Sequence, residues 1–308
     1  MDIISLAFLS REKEICGAGQ RYTRGASRLK LKADIRQIAA RSMLAACLAL
    51  SAGTHAAQPS AKPYEPTYGQ EGKDVVWVPT PEVVVEMMLD VARVTPRDFV
   101  MDLGSGDGRN VIGAAKRGAR ALGVEYNADL VEHSRRAAAA VGMSGRARFV
   151  QGDMYAADIS AASVLALFLL PDNLRRLTPK FLDLKPGSRI VSNTYEIPGW
   201  SADDSVTVRD TCMAFCAVFL YVVPAQVAGI WRMAEGEFAL QQDFQRFTGT
   251  FELSGINLPV EDGVLNGAEI RFTVNGVEYA GRVDGDTMEG TAKGRTTRAA
   301  WRAVRVPQ

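Results

Sequence analysis

The chain has 308 residues, 47% hydrophobic and 23% charged, which is length for two ordinary domains and apolar content for packed cores, and it excludes disorder as the main state. Lys and Arg number 36 against 35 Asp and Glu, but residues 1–57 hold nine basic and four acidic residues, so the remaining 27 basic and 31 acidic residues leave a body of net charge −4. Such a body lacks the basic face that duplex nucleic acid requires. Its two histidines, His55 and His133, and four scattered cysteines, Cys16, Cys47, Cys212 and Cys216, form no CxxC pair or His/Cys cluster, so no metal is expected.

Residues 42–53 read SMLAACLALSAG, an apolar run preceded by Arg36 and Arg41 and followed by Thr54-His55-Ala56-Ala57. That is the pattern of a secretory signal, with cleavage expected after Ala56 or one residue later. The run is too short for a permanent membrane helix, which needs about 20 apolar residues. A basic region of this length before the run is unusual and places the expected start of translation near residues 29–31. Leu44-Ala45-Ala46-Cys47 also matches a lipobox, but most of the apolar run follows the cysteine, and a cysteine inside a discarded signal is the favoured reading. Export, to a periplasmic location, is therefore expected; without processing the chain stays cytoplasmic. Residues 58–72, QPSAKPYEPTYGQEG, are Pro-rich and polar and read as a flexible linker.

In the next stretch, 73–225, short apolar strands alternate with helices. Thr80 is expected to cap a helix that has Pro81 at its first position, with Val83, Val84, Met87, Met88 and Val91 as its apolar stripe. Phe99 to Leu103 reads as a strand, Gly104 to Gly108 as a turn, and Asn110 to Lys116 as a helix stopped by Gly118. A second strand over Ala121 to Glu125 leads to a long Ala-rich helix capped by Asn127. Further strands are expected over Ala147 to Gln151, Val164 to Leu170 and Arg189 to Thr194, with a helix over Pro171 to Leu184 that contains Pro179. This alternation predicts an α/β fold, a doubly wound and mostly parallel sheet, whose ligand binds outside the carboxyl ends of the strands. Apolar segments 206–211 and 214–223 are expected to complete the sheet as an antiparallel hairpin. Four residues apart along one strand, Cys212 and Cys216 would stand about 13 Å apart, too far to bond, and are read as buried apolar cysteines.

The strand ends carry the chemistry. Asp102-Leu103-Gly104-Ser105-Gly106-Asp107-Gly108 gives a sharp turn with bare backbone and a carboxylate at the strand tip. It fails the dinucleotide fingerprint, whose third glycine would fall at Arg109, and it lacks the lysine of a phosphate loop. Two aspartates there suit a cationic or zwitterionic ligand better than a diphosphate. Glu125, 21 residues after Gly104, ends the second strand where a carboxylate accepts from ribose hydroxyls, and Asp153 ends the third where one can accept from an adenine amine. Helix capping is a competing reading for Asp107 and Asp153 singly, but it does not account for three carboxylates at three successive strand ends.

DLGSGDGR, GVEYN and QGD resemble the class I S-adenosylmethionine-dependent methyltransferases. With VPTP in front and LFLLP on the fourth strand, the chain is most similar to bacterial relatives of the ATP-synthase c-subunit lysine methyltransferase family, over roughly residues 75–200. The resemblance implies S-adenosylmethionine as cofactor, with Asp102, Gly104 and Gly106 around its methionine part, Glu125 at the ribose, Asp153 and Met154 at the adenine, and Ser105, Asp107, Gly108 and Tyr126 also among the residues that bind it. It also implies a lid from Val78 to Pro81 that includes Thr80. Many amine methylases carry a polar D/N-P-P-Y motif after the fourth strand; here Phe168-Leu169-Leu170-Pro171 replaces it, which argues against a DNA or glutamine amide acceptor and leaves a protein lysine as the expected one. Tyr195, Glu196, Asp172 and Asn173 are the polar groups that topology places nearest the acceptor, though loop and cap roles also explain them. An exported, non-catalytic protein that binds the cofactor or a nucleoside is the alternative.

From residue 226 the texture changes. Asn266-Gly267, Asn275-Gly276, Asp284-Gly285 and Lys293-Gly294 recur every nine residues, each a hairpin turn signal. An all-β meander is expected, a small barrel or sandwich running from near Trp231 to near Trp301. These tryptophans either plug it or line a small cavity. The module carries no catalytic constellation and reads as a docking or ligand-holding unit.

Overall fold

The computed structural model describes residues 62–209 and 212–307; the leader, its cleavage site and Cys47 lie outside the described residues. The first helix, α1 (Glu82–Val91), leads into β1 (Phe99–Leu103), α2 (Arg109–Lys116), β2 (Arg120–Glu125), α3 (Ala128–Ala140), β3 (Ala147–Gln151), β4 (Val164–Leu167), α4 (Pro171–Leu182) and β5 (Arg189–Asn193). The antiparallel pair β6 (Asp204–Thr207) and β7 (Ala217–Val222) closes the domain. The sheet order is β3-β2-β1-β4-β5-β7-β6. Strands β1 to β5 run parallel and β7 alone is reversed against β5. The order changes direction between β1 and β4, and a ligand crevice opens there at the strand ends. β4 is buried at all four positions, because helices cover both faces and leave no room for polar alternation.

The helices start and stop largely where the sequence places them. Asn127 caps α3, its side-chain oxygen accepting from the amides of Asp129 and Leu130. The cap expected at Thr80 is corrected: Pro81 occupies the cap position of α1 and no side chain caps it. The Thr80 hydroxyl instead meets Asn193 Nδ2 at 3.4 Å, and the Thr80 carbonyl accepts from Arg109 Nη1 at 2.6 Å. Tertiary partners thus outcompete the local amide. The described part of the segment before α1 makes specific contacts: Gly69 N donates to the Trp77 carbonyl and Trp77 N to that of Gln70, both at 2.9 Å, and the Tyr64 carbonyl accepts from Arg136 on α3 at 2.8 Å.

The cysteine expectation is overturned. Residues 212–216 form the turn between β6 and β7 rather than part of a strand, which brings the two Cα atoms to 5.8 Å, and Cys212 and Cys216 form a disulfide.

The C-terminal module is a closed eight-stranded antiparallel barrel, β8 (Gly229–Arg232) to β15 (Arg298–Arg305), sealed where β15 pairs with β8. Closure leaves no open edge. Four of its seven hairpin turns fall at the Asn-Gly, Asp-Gly and Lys-Gly pairs. Trp231, Phe238, Phe272 and Trp301 are buried inside, with the Trp231 indole donating to the Val227 carbonyl at 2.8 Å. The tryptophans therefore plug the barrel. The barrel docks on the sheet domain through Phe244, stacked on Trp200 with ring centroids 5.1 Å apart, and through Gln245, whose side-chain amide donates to the Ser201 carbonyl at 2.7 Å.

Candidate active site

Two adjoining cavities lie in the crevice at the carboxyl ends of β1, β2 and β4. Glu125, Tyr126, Asp153, Met154 and Lys73 line the first. Thr80, Asp102, Ser105, Gly106, Asp107 and Asn110 line the second. Trp77, Val78, Gly104 and Phe168 belong to both, so the pair reads as one elongated site with its waist at Gly104 and Phe168.

The waist exists because β1 ends in glycine. Gly104 has φ +75°, and a side chain built there would meet only Leu169, at 3.5 Å, so its bare backbone forms a shelf a ligand can lie on. One step on, the Gly106 amide donates to Glu125 Oε2 at 2.9 Å while the Asn127 amide donates to Oε1 at 2.9 Å. Two backbone donors thus fix the Glu125 carboxylate and leave its remaining lone pairs for a diol. Gly108 lines neither cavity; at φ +83° it precedes α2 and leaves room for the Phe149 ring.

The second cavity is charged in a particular way. Asp102 is buried, and that desolvation pushes its carboxyl up to about 8, opposed by the hydrogen bond from Asn110 Nδ2 at 3.1 Å and reinforced by the nearby charges of Glu125 and Asp107. Two other buried atoms of this cavity, Ser105 Oγ and Asn110 Oδ1, make no hydrogen bond within the chain. Unmatched buried polar atoms are costly and call for a partner. An acceptor oxygen on Asn110 and a carboxyl poised to ionise suit an ammonium group. The methionine end of S-adenosylmethionine presents one, and the open shelf at Gly104 admits its chain. The residues present fit the cofactor.

In the first cavity Asp153 sits under a strap. Lys73 Nζ donates to Asp153 Oδ2 at 2.7 Å and stands 4.9 Å from the centre of the Tyr126 ring. That bond, with the Tyr155 amide, holds the Asp153 carboxyl below the usual range. Trp77 continues the strap across Gly106. Arg109 pins the strap to the glycine turn, bonding Asp107 at 3.0 Å and the Thr80 carbonyl.

The four polar groups expected on the acceptor side make separate contacts. Tyr195 stacks toward Phe168, centroids 6.3 Å apart. Glu196, after it, is exposed. Asn173 is buried at the start of α4 and donates to the Tyr155 hydroxyl at 2.7 Å, and Asp172 is exposed and paired with Arg175. Sequence reading passed over Lys73, Trp77 and Asn110. Asn110 directly follows the DLGSGDGR motif and Trp77 stands directly before VPTP, so position could have flagged both; nothing local marks Lys73, whose partner is 80 residues away.

Residues 102–204 match the model of the ANTKMT methyltransferase domain, a span that lies wholly in the sheet domain. A protein-lysine N-methyltransferase of Saccharolobus islandicus is 43% identical over 152 residues, 48% of this chain and 94% of that protein. The mouse ATP-synthase c-subunit lysine N-methyltransferase is 35% identical over 128 residues, 41% of this chain and 51% of that protein. Among solved structures, an RNA methyltransferase of Salinibacter ruber in complex with S-adenosyl-L-homocysteine is 39% identical, covers 49% of this chain and 96% of its own, and superposes with a TM-score of 0.46. A parallel sheet with its crevice between β1 and β4, a glycine shelf flanked by acidic strand ends, and near-complete coverage of the Saccharolobus islandicus relative converge: the chain belongs to the class I methyltransferases, with S-adenosylmethionine as cofactor.

Proposed function

We propose that the protein methylates the side-chain amine of lysine on a protein partner. The observation that carries this reading is the apolar wall at the waist of the site. Phe168 and Leu169 stand where amide-acting methylases carry polar groups, and the archaeal and mouse relatives are named as lysine methyltransferases. When bound, S-adenosylmethionine supplies a methyl group on a sulfonium, ready for in-line displacement. The chain's own contribution is to position the amine, exclude water and favour its neutral form. Desolvation beside Phe168 and Leu169 disfavours the ammonium and so yields the nucleophile. Tyr195 is next to that wall, and we assign its hydroxyl to accepting the amine's hydrogen and aligning its lone pair. Exposed Glu196 attracts a cationic side chain, while Asp172 and Asn173 shape the rim at the start of α4.

The test is methyl transfer from methyl-labelled cofactor to the envelope fraction of the source cells. Label should be recovered as methyl-lysine after acid hydrolysis. Tyr195→Phe should reduce the label by about a hundredfold or more, the scale of a lost proton-handling group, and Glu196→Gln less, both with cofactor affinity near that of the wild type. Label found only in lipids or small molecules would reject the lysine acceptor. Cofactor binding without label in any fraction would favour the second reading, an exported binding protein, which the signal-like leader motivates.

We also propose export. The leader pattern supports it, and so does the Cys212–Cys216 disulfide, since such bonds persist in oxidising compartments. N-terminal sequencing of the protein from its native host should begin at Ala57 or Gln58. A product that retains Met43 would refute it.

A further inference from the structure

The disulfide lies beside the acceptor face of the site. Within its five-residue turn, Phe215 has φ +60°, a left-handed backbone that costs a non-glycine residue energy unless its surroundings impose it. Its ring centroid is 5.2 Å from that of Phe168, one of the residues shared by both cavities. The facing strand end is strained as well. Thr194, β-branched, has φ +66°, and the Tyr195 amide donates to the Asn193 carbonyl at 2.7 Å, closing a three-residue turn that swings the Tyr195 ring toward Phe168. Thr194 in turn donates its amide to the Ala217 carbonyl at 2.7 Å, directly after the disulfide. Two uncommon backbone conformations thus converge to set two rings against a third. All three rings are half-buried, and Met213 at the tip of the turn is fully exposed, so the cluster runs from the waist of the site to solvent.

We propose that the Cys212–Cys216 turn is the outer wall of the acceptor channel, holding Phe215 so that Phe168, Tyr195 and Phe215 present ring faces to an alkylammonium side chain, and that reducing this disulfide weakens acceptor binding without weakening cofactor binding. The inference rests on the lysine-acceptor reading above. Aromatic faces attract alkylammonium groups and slide against methylene chains, which is the chemistry of a lysine side chain. Phe215 cannot be held in its left-handed conformation by its own preference. The covalent closure of the turn is what fixes it. A dithiol reductant donates two electrons and two protons to the S–S bond, giving the Cys212 and Cys216 thiols, and becomes a cyclic disulfide itself. The turn then relaxes toward ordinary backbone and the Phe215 ring leaves Phe168.

The test uses the full protein saturated with S-adenosylhomocysteine and titrated with n-butylammonium, a probe of the lysine side chain, by calorimetry or NMR. The oxidised protein should bind the probe. Reduction by dithiothreitol, Cys212→Ser/Cys216→Ser, and Phe215→Ala should each weaken it by about 3- to 30-fold, the range a cation–ring contact supports, while Phe215→Tyr retains it. Affinity for S-adenosylhomocysteine should stay within about twofold throughout, which also shows that each variant is folded. The double serine variant should be insensitive to dithiothreitol. Equal probe affinity in oxidised and reduced protein, or no effect of Phe215→Ala, overturns the proposal with the methyltransferase reading intact. Absence of probe binding to the oxidised protein overturns it together with the amine acceptor, and loss of S-adenosylhomocysteine binding in the wild type would strike the cofactor site itself.

Discussion

Gly106→Val is expected to weaken binding of S-adenosylmethionine severely while leaving the protein folded. Gly106 has φ +55°, and a Cβ there would stand 2.6 Å from Trp77 Nε1 and 2.9 Å from Cδ1. Left-handed backbone costs an L residue about 1–2 kcal/mol, and forcing extra atoms into a filled space costs about 1–3 kcal/mol more. The strap can relieve this only by moving Trp77 off the glycine turn, and Trp77 is a wall of both cavities. The same shift disturbs the Gly106 amide that holds Glu125. Together these effects should weaken binding by about a hundredfold or more. Glu125→Gln is the graded companion. It keeps the shape but removes the charge, and its NH2 group cannot accept, so one of the two bonds from the Gly106 and Asn127 amides is lost along with charge-assisted bonds to a ligand diol, a loss of about 1–3 kcal/mol. Calorimetric titration measures both, with a thermal melt as the folding control. Wild-type affinity in both variants would contradict the placement of the cofactor.

Asp102 gives the second large effect, and its sign is opposite to that of an ordinary ion-paired carboxylate. An unfolded aspartate titrates near 3.9, whereas burial pushes Asp102 up to about 8 in the folded protein. Between those values the folded chain holds a proton that the unfolded chain has released, so the stability tied to this group is complete below about pH 4 and falls as pH rises to about 8. The loss is on the order of 5 kcal/mol at most. Asp102→Asn keeps an oxygen to accept from Asn110 Nδ2 and cannot ionise. Urea unfolding across about pH 4 to 9 should show the variant gaining on the wild type with rising pH and overtaking it at the alkaline end. Parallel profiles would refute the shift. A cationic ligand beside Asp102 favours the ionised carboxyl, so cofactor affinity should rise through the same window, with release of a proton, in the wild type but not in Asp102→Asn.

The parts of this molecule that the sequence reveals are those set by local periodicity. Apolar strands such as Val164 to Leu167 announce a sheet covered on both faces. The glycine turn after Asp102 and the carboxylates Glu125 and Asp153 fall at strand ends because the alternation of strands and helices fixes where those ends are. Evenly spaced turn dipeptides mark the meander, although only the pairing of Val304 with Arg232 and Arg305 with Trp231 closes it into a barrel rather than a sandwich. What stayed hidden depends on partners far along the chain. Thr80 looks like a cap until Asn193 and Arg109 claim it. Cys212 and Cys216 look unpairable until the chain turns between them. Lys73 has no meaning without Asp153 80 residues later, and the burial that shifts Asp102 is a property of the packed sheet.

A crystal structure of the protein bound to S-adenosylhomocysteine tests the central assignment, that the two cavities are the halves of one cofactor site with methyl transfer at their waist. The adenosine should lie between Glu125 and Asp153 with Lys73 displaced or rearranged, the amino-acid end against Asp102 and Asn110, and the sulfur over Gly104 facing Phe168. An adenosine seated elsewhere, or a sulfur turned away from Phe168, would contradict it.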